Sequence, residues 1–296
     1  MKHTNPVKEN TLMEAKEKCE LMTFLLQNLK QKSRDNIKSL LRNKQILVNG
    51  EAVTQFNHLL IPGDRVEVIW SREEIKGPSR NLNIIFEDDY IIVIDKHSGL
   101  LSIATGKETY ATAYSILSNY VKQKNPANKI FVVHRLDRDT SGVMMFARSE
   151  KVQAMLQDNW KDTVTERKYS AVVEGRVEEK EGKIESYIYE SKALMMHSTK
   201  DPEKGELAIT HFRTVKANDN YSLLDIYLET GKKNQIRLHM KDYGHSIAGD
   251  KKYGAHGNPI GRLALHAGVL AFTHPVTGKP MRFESKIPVK FRWLLK

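Results

Sequence analysis

Two kinds of spacing between apolar and polar residues divide the chain. Near the start, Leu21, Met22, Phe24, Leu25, Leu26 and Leu29 recur at helical intervals and predict one amphipathic helix. Ser33 is a helix-capping residue type. With Asp35 in the first turn and Ile37, Leu40 and Leu41 on one side, it predicts a second helix. Ile46-Leu47-Val48 then meets Asn49-Gly50, a hairpin signal, because both turn residues tolerate positive φ. After Pro62-Gly63-Asp64, residues 65–70 alternate as a closing strand. Beyond a polar stretch containing Gly77-Pro78-Ser79 the spacing changes. Short apolar runs at 84–86, 91–94, 131–133, 143–147, 169–173, 210–215, 223–228 and 263–272 are separated by turns and predict strands. Helices are predicted at 149–162 and 232–242. Many strands with few helices between them indicate an α+β domain with a mixed, largely antiparallel sheet and flanking helices, preceded by a small α/β module. The division expected is a disordered tail at 1–11, the module at 12–71, a linker at 72–82 and the main domain at 83–296.

Composition narrows the class of partner. The 296 residues carry a formal net charge of +11, which points to a polyanion, nucleic acid before membrane. In the second predicted helix and its flanks, Lys30, Lys32, Arg34, Lys38, Arg42 and Lys44 face only Asp35. The plain reading is a solvated helix face; the functional one is a phosphate-binding surface. A single cysteine, Cys19, leaves no internal disulfide and no cysteine zinc site, and fits a reducing cytoplasm. The polar start of the chain shows no signal core, and no stretch reaches the length of a membrane span.

The candidate chemistry centres on Val133-His134-Arg135-Leu136-Asp137-Arg138-Asp139-Thr140-Ser141-Gly142. Asp137 stands between arginines, which favour its ionised form. Such a carboxylate suits nucleophilic or electrostatic work better than proton donation, although a salt bridge at a turn is the plainer reading. Arg237, between Ile236 and Leu238, is expected to point inward and to need a carboxylate, with Asp137 as candidate. Tyr169 lies in a strand pattern, either as a core tyrosine or as a flat face on which an extruded base stacks.

The string around Asp137 resembles the signature of the RluA-type pseudouridine synthases, in which the Asp of His-Arg-Leu-Asp is catalytic. Three more segments resemble the same family in the expected order. They are Arg167-Lys168-Tyr169-Ser170-Ala171-Val172-Val173-Glu174-Gly175, then Thr230-Gly231-Lys232-Lys233-Asn234-Gln235-Ile236-Arg237-Leu238-His239 followed by His245-Ser246-Ile247-Ala248-Gly249-Asp250-Lys251-Lys252-Tyr253-Gly254, then Arg262-Leu263-Ala264-Leu265-His266-Ala267 with His274-Pro275 after it. A weaker match is Ile92-Val93-Ile94-Asp95-Lys96-His97. Lys232, Asn234 and His97 depart from the family pattern, which has Arg, His and Pro there; the first two departures bear on contacts to the RNA backbone. Residues 12–71 resemble the small S-four-type RNA-binding module.

The resemblance implies an isomerase without cofactor or metal that converts uridine to pseudouridine in structured RNA. Asp137 would be the essential carboxylate, acting on C1′ or on a ribose proton; both routes stay open. Tyr169 would lie over the base, Arg237 would pair with Asp137, and Arg135 would occupy the space left by the flipped nucleotide. Leu238 is counted with the substrate-binding residues, and His266 is read as a structural hydrogen-bonding group. The appended module favours ribosomal RNA of the large subunit over transfer RNA, and a cytoplasmic monomer is expected. A non-catalytic RNA-binding or ribosome-assembly protein is the rival. The joint presence of Asp137, Tyr169 and Arg237 argues against it. A kinase is excluded because Asp does not directly follow His-Arg, and zinc chemistry because no His-Glu-x-x-His or Pro-Cys-x-x-Cys occurs. Asp137 and Asp139 as a glycosidase pair fail because the arginines would ionise both.

Overall fold

A computed structural model describes residues 10–42, 45–70, 81–104 and 112–296, which divide into two units, 10–70 and 81–296. The first unit runs β1 (Thr11–Glu14), β2 (Cys19–Glu20), α1 (Leu21–Asn28), α2 (Arg34–Arg42), β3 (Ile46–Val48), β4 (Glu51–Ala52), β5 (Leu59–Leu60) and β6 (Arg65–Val68). The hydroxyl of Ser33 accepts from the Asn36 amide at the start of α2. Asn49 and Gly50, with φ of 51° and 87°, make the turn between β3 and β4. Leu21 and Leu25 of α1, Ile37 and Leu41 of α2, and Ile46, Val66 and Val68 of the sheet close the core. The expected tail is too long by this account. Thr11 already pairs with Val68, and Trp70 donates to the Thr11 hydroxyl at 2.6 Å. With Leu12 exposed, β1 has too little apolar alternation to be read from sequence. Residues 72–80 of the expected linker, the last module residue Ser71, and Lys44 lie outside the described residues, and Leu82 opens the next strand.

The second unit runs β7 (Leu82–Glu87), β8 (Ile91–Lys96), α3 (Ala113–Lys124), β9 (Phe131–Val132), β10 (Ser141–Ala147), α4 (Glu150–Asp158), α5 (Trp160–Thr163), β11 (Val164–Glu174), β12 (Glu181–Glu190), β13 (Met196–Thr199), β14 (Glu206–Ala217), β15 (Tyr221–Leu228), α6 (Gln235–Asp242), β16 (Leu265–Thr273), β17 (Pro280–Glu284) and α7 (Val289–Trp293). The strands form one sheet in the order β13-β12-β14-β15-β11-β16-β10-β8-β7, with β9 on β10 and β17 on β16. Among the described strands, β10 and β16 alone pair in parallel, so the sheet is mixed and largely antiparallel. That parallel pair fixes the site. Gly142 has φ 119°, and a Cβ there would lie 2.1 Å from the Ala267 carbonyl oxygen, so no other residue lets the two strands approach. All seven residues of β10 are buried. Among the described residues no helix is long and apolar enough to cross a membrane.

Each strand expected in this domain is present. The single helix expected over 149–162 is interrupted at Asn159, and the one over 232–242 begins at Gln235 because Asn234 is left-handed at φ 55°. Strands β12, β13 and β17 and helices α3 and α7 have no counterpart among the elements predicted from sequence. The outer face of β12 mixes Glu181, Lys183 and Glu185 with Tyr187 and Tyr189, and its other face is mostly half-buried, which blurs the period-two signal.

Candidate active site

The loop from His134 to Ser141 joins β9 to β10 and is anchored at Leu136, Arg138, Asp139 and Ser141. The Ser102 hydroxyl donates to the Leu136 carbonyl at 2.7 Å and accepts from its amide at 3.1 Å. Lys96, fully buried at the end of β8, donates from Nζ to the carbonyls of Leu100 (2.7 Å), Arg138 (3.0 Å) and His97 (3.2 Å). Its three protons meet three acceptors. Burial lowers the Lys96 pKa to about 8, against the opposing pull of the Asp137 and Asp139 charges. The Gly99 amide also donates to the Arg138 carbonyl, and the Ser98 hydroxyl to that of Asp139. At the far end, Arg262 donates to the Ser141 hydroxyl, which sits 2.8 Å from His266 Nδ1. His266 Nε2 reaches the Ser285 carbonyl, and burial lowers its pKa, so this histidine is a neutral structural link. The Leu136 amide and the carbonyls of Leu136, Arg138 and Asp139 are therefore satisfied by the protein, and the Asp137 side chain is left projecting, 28% exposed.

Arg237 does point inward from α6, with its side chain 11% exposed. Its principal partner differs from the expected one. Nε and Nη2 donate to the two oxygens of Asp250 at 2.7 Å each, a bidentate pair, while Nη1 lies 3.5 Å from Asp137 Oδ2. Burial pulls the Arg237 pKa down, but the bonds and charge of Asp250, with the charge of Asp137, outweigh it and raise the value. Nη1 also donates to Asn234 Oδ1 at 3.2 Å, and Asn234 Nδ2 donates to the Tyr253 hydroxyl. Asn234 is thus buried in the network behind Arg237 rather than turned toward an RNA backbone. Asp250, whose side chain is fully buried 13 residues beyond Arg237, has no role assigned to it by the sequence reading, although it stands in the segment that follows Arg237. The available signal was a second acid beside a tight Gly249 turn.

Tyr169 reaches the same place from β11. With Asp137, Arg135, Leu228 and Arg237 it lines a cavity of about 70 Å³. Burial raises the Tyr169 pKa and the Asp137 charge pushes the same way, so the ring is a neutral flat wall. Leu238 is not part of this wall. It is buried with Ile188, Met196, Ala208 and Tyr253, on the side of α6 away from Asp137; Ile236 lines the cavity instead. Of the basic residues expected near α2, Lys30, Arg34, Lys38 and Arg42 are exposed, whereas Lys32 is half-buried with Nζ 5.3 Å from the Trp70 ring centre. They belong to the first unit.

A projecting carboxylate, a fixed guanidinium at its side and an aromatic wall thus line one small cavity. Known proteins agree with this chemistry. Residues 90–242 match the RNA pseudouridylate synthase family. An uncharacterized RNA pseudouridine synthase of Bacillus subtilis, YjbO, is 33% identical over 84% of this chain and 89% of its own. The ribosomal large subunit pseudouridine synthase D of Nitrosomonas europaea is 32% identical over 89% of this chain and 80% of its own. Human RNA Pseudouridylate Synthase Domain Containing 4 shares the fold, with a TM-score of 0.57 and 22% identity over 71% of this chain and 90% of that one. The chain belongs to the RNA pseudouridine synthase family, isomerases that convert uridine in RNA to pseudouridine.

Proposed function

We propose that this protein isomerises uridines in large-subunit ribosomal RNA and that Asp137 is the reacting carboxylate. The observation that carries the reading is the placement of Asp137 Oδ2 3.5 Å from a buried, Asp250-anchored Arg237 and on one cavity with Tyr169. In the reaction the N1–C1′ bond breaks, the uracil turns within the cavity, and C5 bonds to C1′. The C5 proton leaves and N1 gains one, so the product is an isomer. Asp137 acts on the ribose, either by attack at C1′ or by removal of a ribose proton. Arg237 keeps a positive charge against it throughout, and Tyr169 stacks on the base. Arg135, exposed at the mouth, fills the place of the extruded nucleotide, whose unstacking costs a few kcal/mol.

Residues 12–71 serve as an S-four-type RNA-binding module that supplies phosphate contacts through Lys30, Arg34, Lys38 and Arg42. The ribosomal substrate rests on the names of relatives such as the synthases D of Nitrosomonas europaea and Salmonella typhimurium. The protein acts as a cytoplasmic monomer in this reading. Carbodiimide treatment followed by reverse transcription, in cells with and without the protein, tests it. Stops lost from large-subunit RNA support the proposal; stops lost only from transfer RNA refute the substrate, and no lost stop refutes the reaction.

A further inference from the structure

A second cavity, of about 450 Å³, adjoins the small one at Asp137. The two share Arg135, Tyr169, Leu228 and Lys232, but Asp137 and Arg237 line only the small one. The larger lies within the size range of ligand sites, roughly 300–1,000 Å³. Its own walls are His134, Trp160 and Arg167 over an apolar floor that includes Val133 and Val269.

Arg167 is the unusual member. It comes from β11, two residues before Tyr169, and Nη2 donates to the carbonyls of Leu228 and Glu229 at 3.1 Å each. Its Nε and Nη1 make no hydrogen bond among the described residues, and no aspartate or glutamate lines the cavity. Burial lowers its pKa, as expected of a guanidinium withdrawn from water without an acid to neutralise it. Arg135, on the shared rim, makes no ion pair among the described residues either. Beside them, His134 is a neutral donor. Its Nε2 accepts from the Met145 amide at 3.1 Å, so Nδ1 carries the proton, and burial lowers its pKa to about 4. Its ring lies 5.1 Å from that of Trp160.

Two guanidinium groups that form no ion pair among the described residues, one of them 5.9 Å from the Trp160 ring centre, beside an aromatic and apolar wall match an anionic unit that also carries a flat, poorly hydrated group. We infer that this cavity holds the nucleotide adjoining the target uridine, with its phosphate on Arg167 and Arg135 and its base against Trp160 and the apolar floor. The inference rests on the RNA-isomerase reading, since a strand whose target base enters the Asp137 cavity must carry its neighbour past Arg135.

The test uses the full chain and an in vitro transcript of large-subunit ribosomal RNA. Filter binding over a range of salt reads the cavity whether or not the chain turns over. Tritium release from uridine labelled at C5 separately reads the reaction, so loss of either reading is visible by itself. Arg167→Met should weaken binding about tenfold and flatten the salt slope by about 0.7–0.9, one phosphate contact. Arg167→Lys, which keeps the charge, should retain the slope, and Arg176→Met, outside both cavities, should match wild type in affinity. A wild-type slope for Arg167→Met, or inorganic phosphate competing with the transcript as well as an RNA trinucleotide does, overturns the proposal. Should Arg167→Met fail to fold, Trp160→Leu decides: about threefold or more weaker binding supports the stacking wall, and unchanged affinity overturns it.

Discussion

Asp250→Asn probes the support of the site without touching the reacting carboxylate. In the native protein a fully buried carboxylate and a guanidinium 11% exposed share two bonds of 2.7 Å. Asparagine keeps the shape, but its amide hydrogens face donors and its charge is gone. Removing one partner of a buried pair costs about 3–5 kcal/mol, because the other charge is left uncompensated. The freed Arg237 would then shift toward Asp137, now its only acid among the described residues. A misplacement on the order of 1 Å in such a site lowers turnover roughly 100-fold. Urea unfolding gives the first quantity and tritium release from C5-labelled RNA the second. A double variant, Arg237→Met with Asp250→Leu, separates them. It removes both charges, so most of the stability should return while turnover stays lost. If Asp250→Asn unfolds within about 1 kcal/mol of wild type and turns over within about threefold, Asp250 does not anchor Arg237. If the double variant regains activity, Arg237 is not part of the chemistry.

Three other outcomes follow from the same structure. Gly142→Ala should abolish folding or cost more than about 4 kcal/mol in urea unfolding, since its Cβ would meet the Ala267 backbone at 2.1 Å; a loss under about 1 kcal/mol contradicts the strand contact. His134 and His239 have folded pKa values of about 4, below the ordinary 6.5, chiefly through burial. The unfolded chain therefore binds more protons between pH 6.5 and 4, so stability is full above 6.5 and falls as pH drops through 4, by roughly 3 kcal/mol per histidine. His134→Gln should be less acid-sensitive than wild type over that window, and an identical pH profile would contradict the assignment. Deleting residues 1–75 should leave an isomerase domain that folds but binds RNA with a salt slope smaller by about 2–3, measured by filter binding; an unchanged slope would place the basic helix away from RNA.

The sequence was most legible where one period governed a whole element. The apolar runs of β8, β10, β11, β15 and β16 are buried strands whose neighbours in space follow from few alternatives, and each was found. In half-exposed strands such as β12, Gly182 and Ser186 interrupt the inner face and Tyr187 and Tyr189 the charged outer one, so the period is not clear. At the site, Asp137, Tyr169 and Arg237 were singled out from local strings, and they do line one cavity. Asp250 and Lys96 were not, for a common reason. Each acts through a fully buried polar group whose partners, Arg237 and the Arg138 carbonyl, are distant or belong to the backbone, and a side chain's burial cannot be read from its neighbours in the chain. Leu238 does not belong with the cavity residues. In α6 Ile236 faces the cavity, and Leu238, two residues on, falls on the opposite side.

The central claim is that the Asp137 carboxylate performs the isomerisation. Its most direct test is pseudouridine formation by Asp137→Asn on large-subunit ribosomal RNA, with RNA affinity measured on the same preparation. The amide is nearly isosteric and lacks the charge, so the account predicts no detectable product with RNA binding within about twofold of wild type. Turnover within about tenfold of wild type, a barrier change of only about 1.4 kcal/mol, would contradict it.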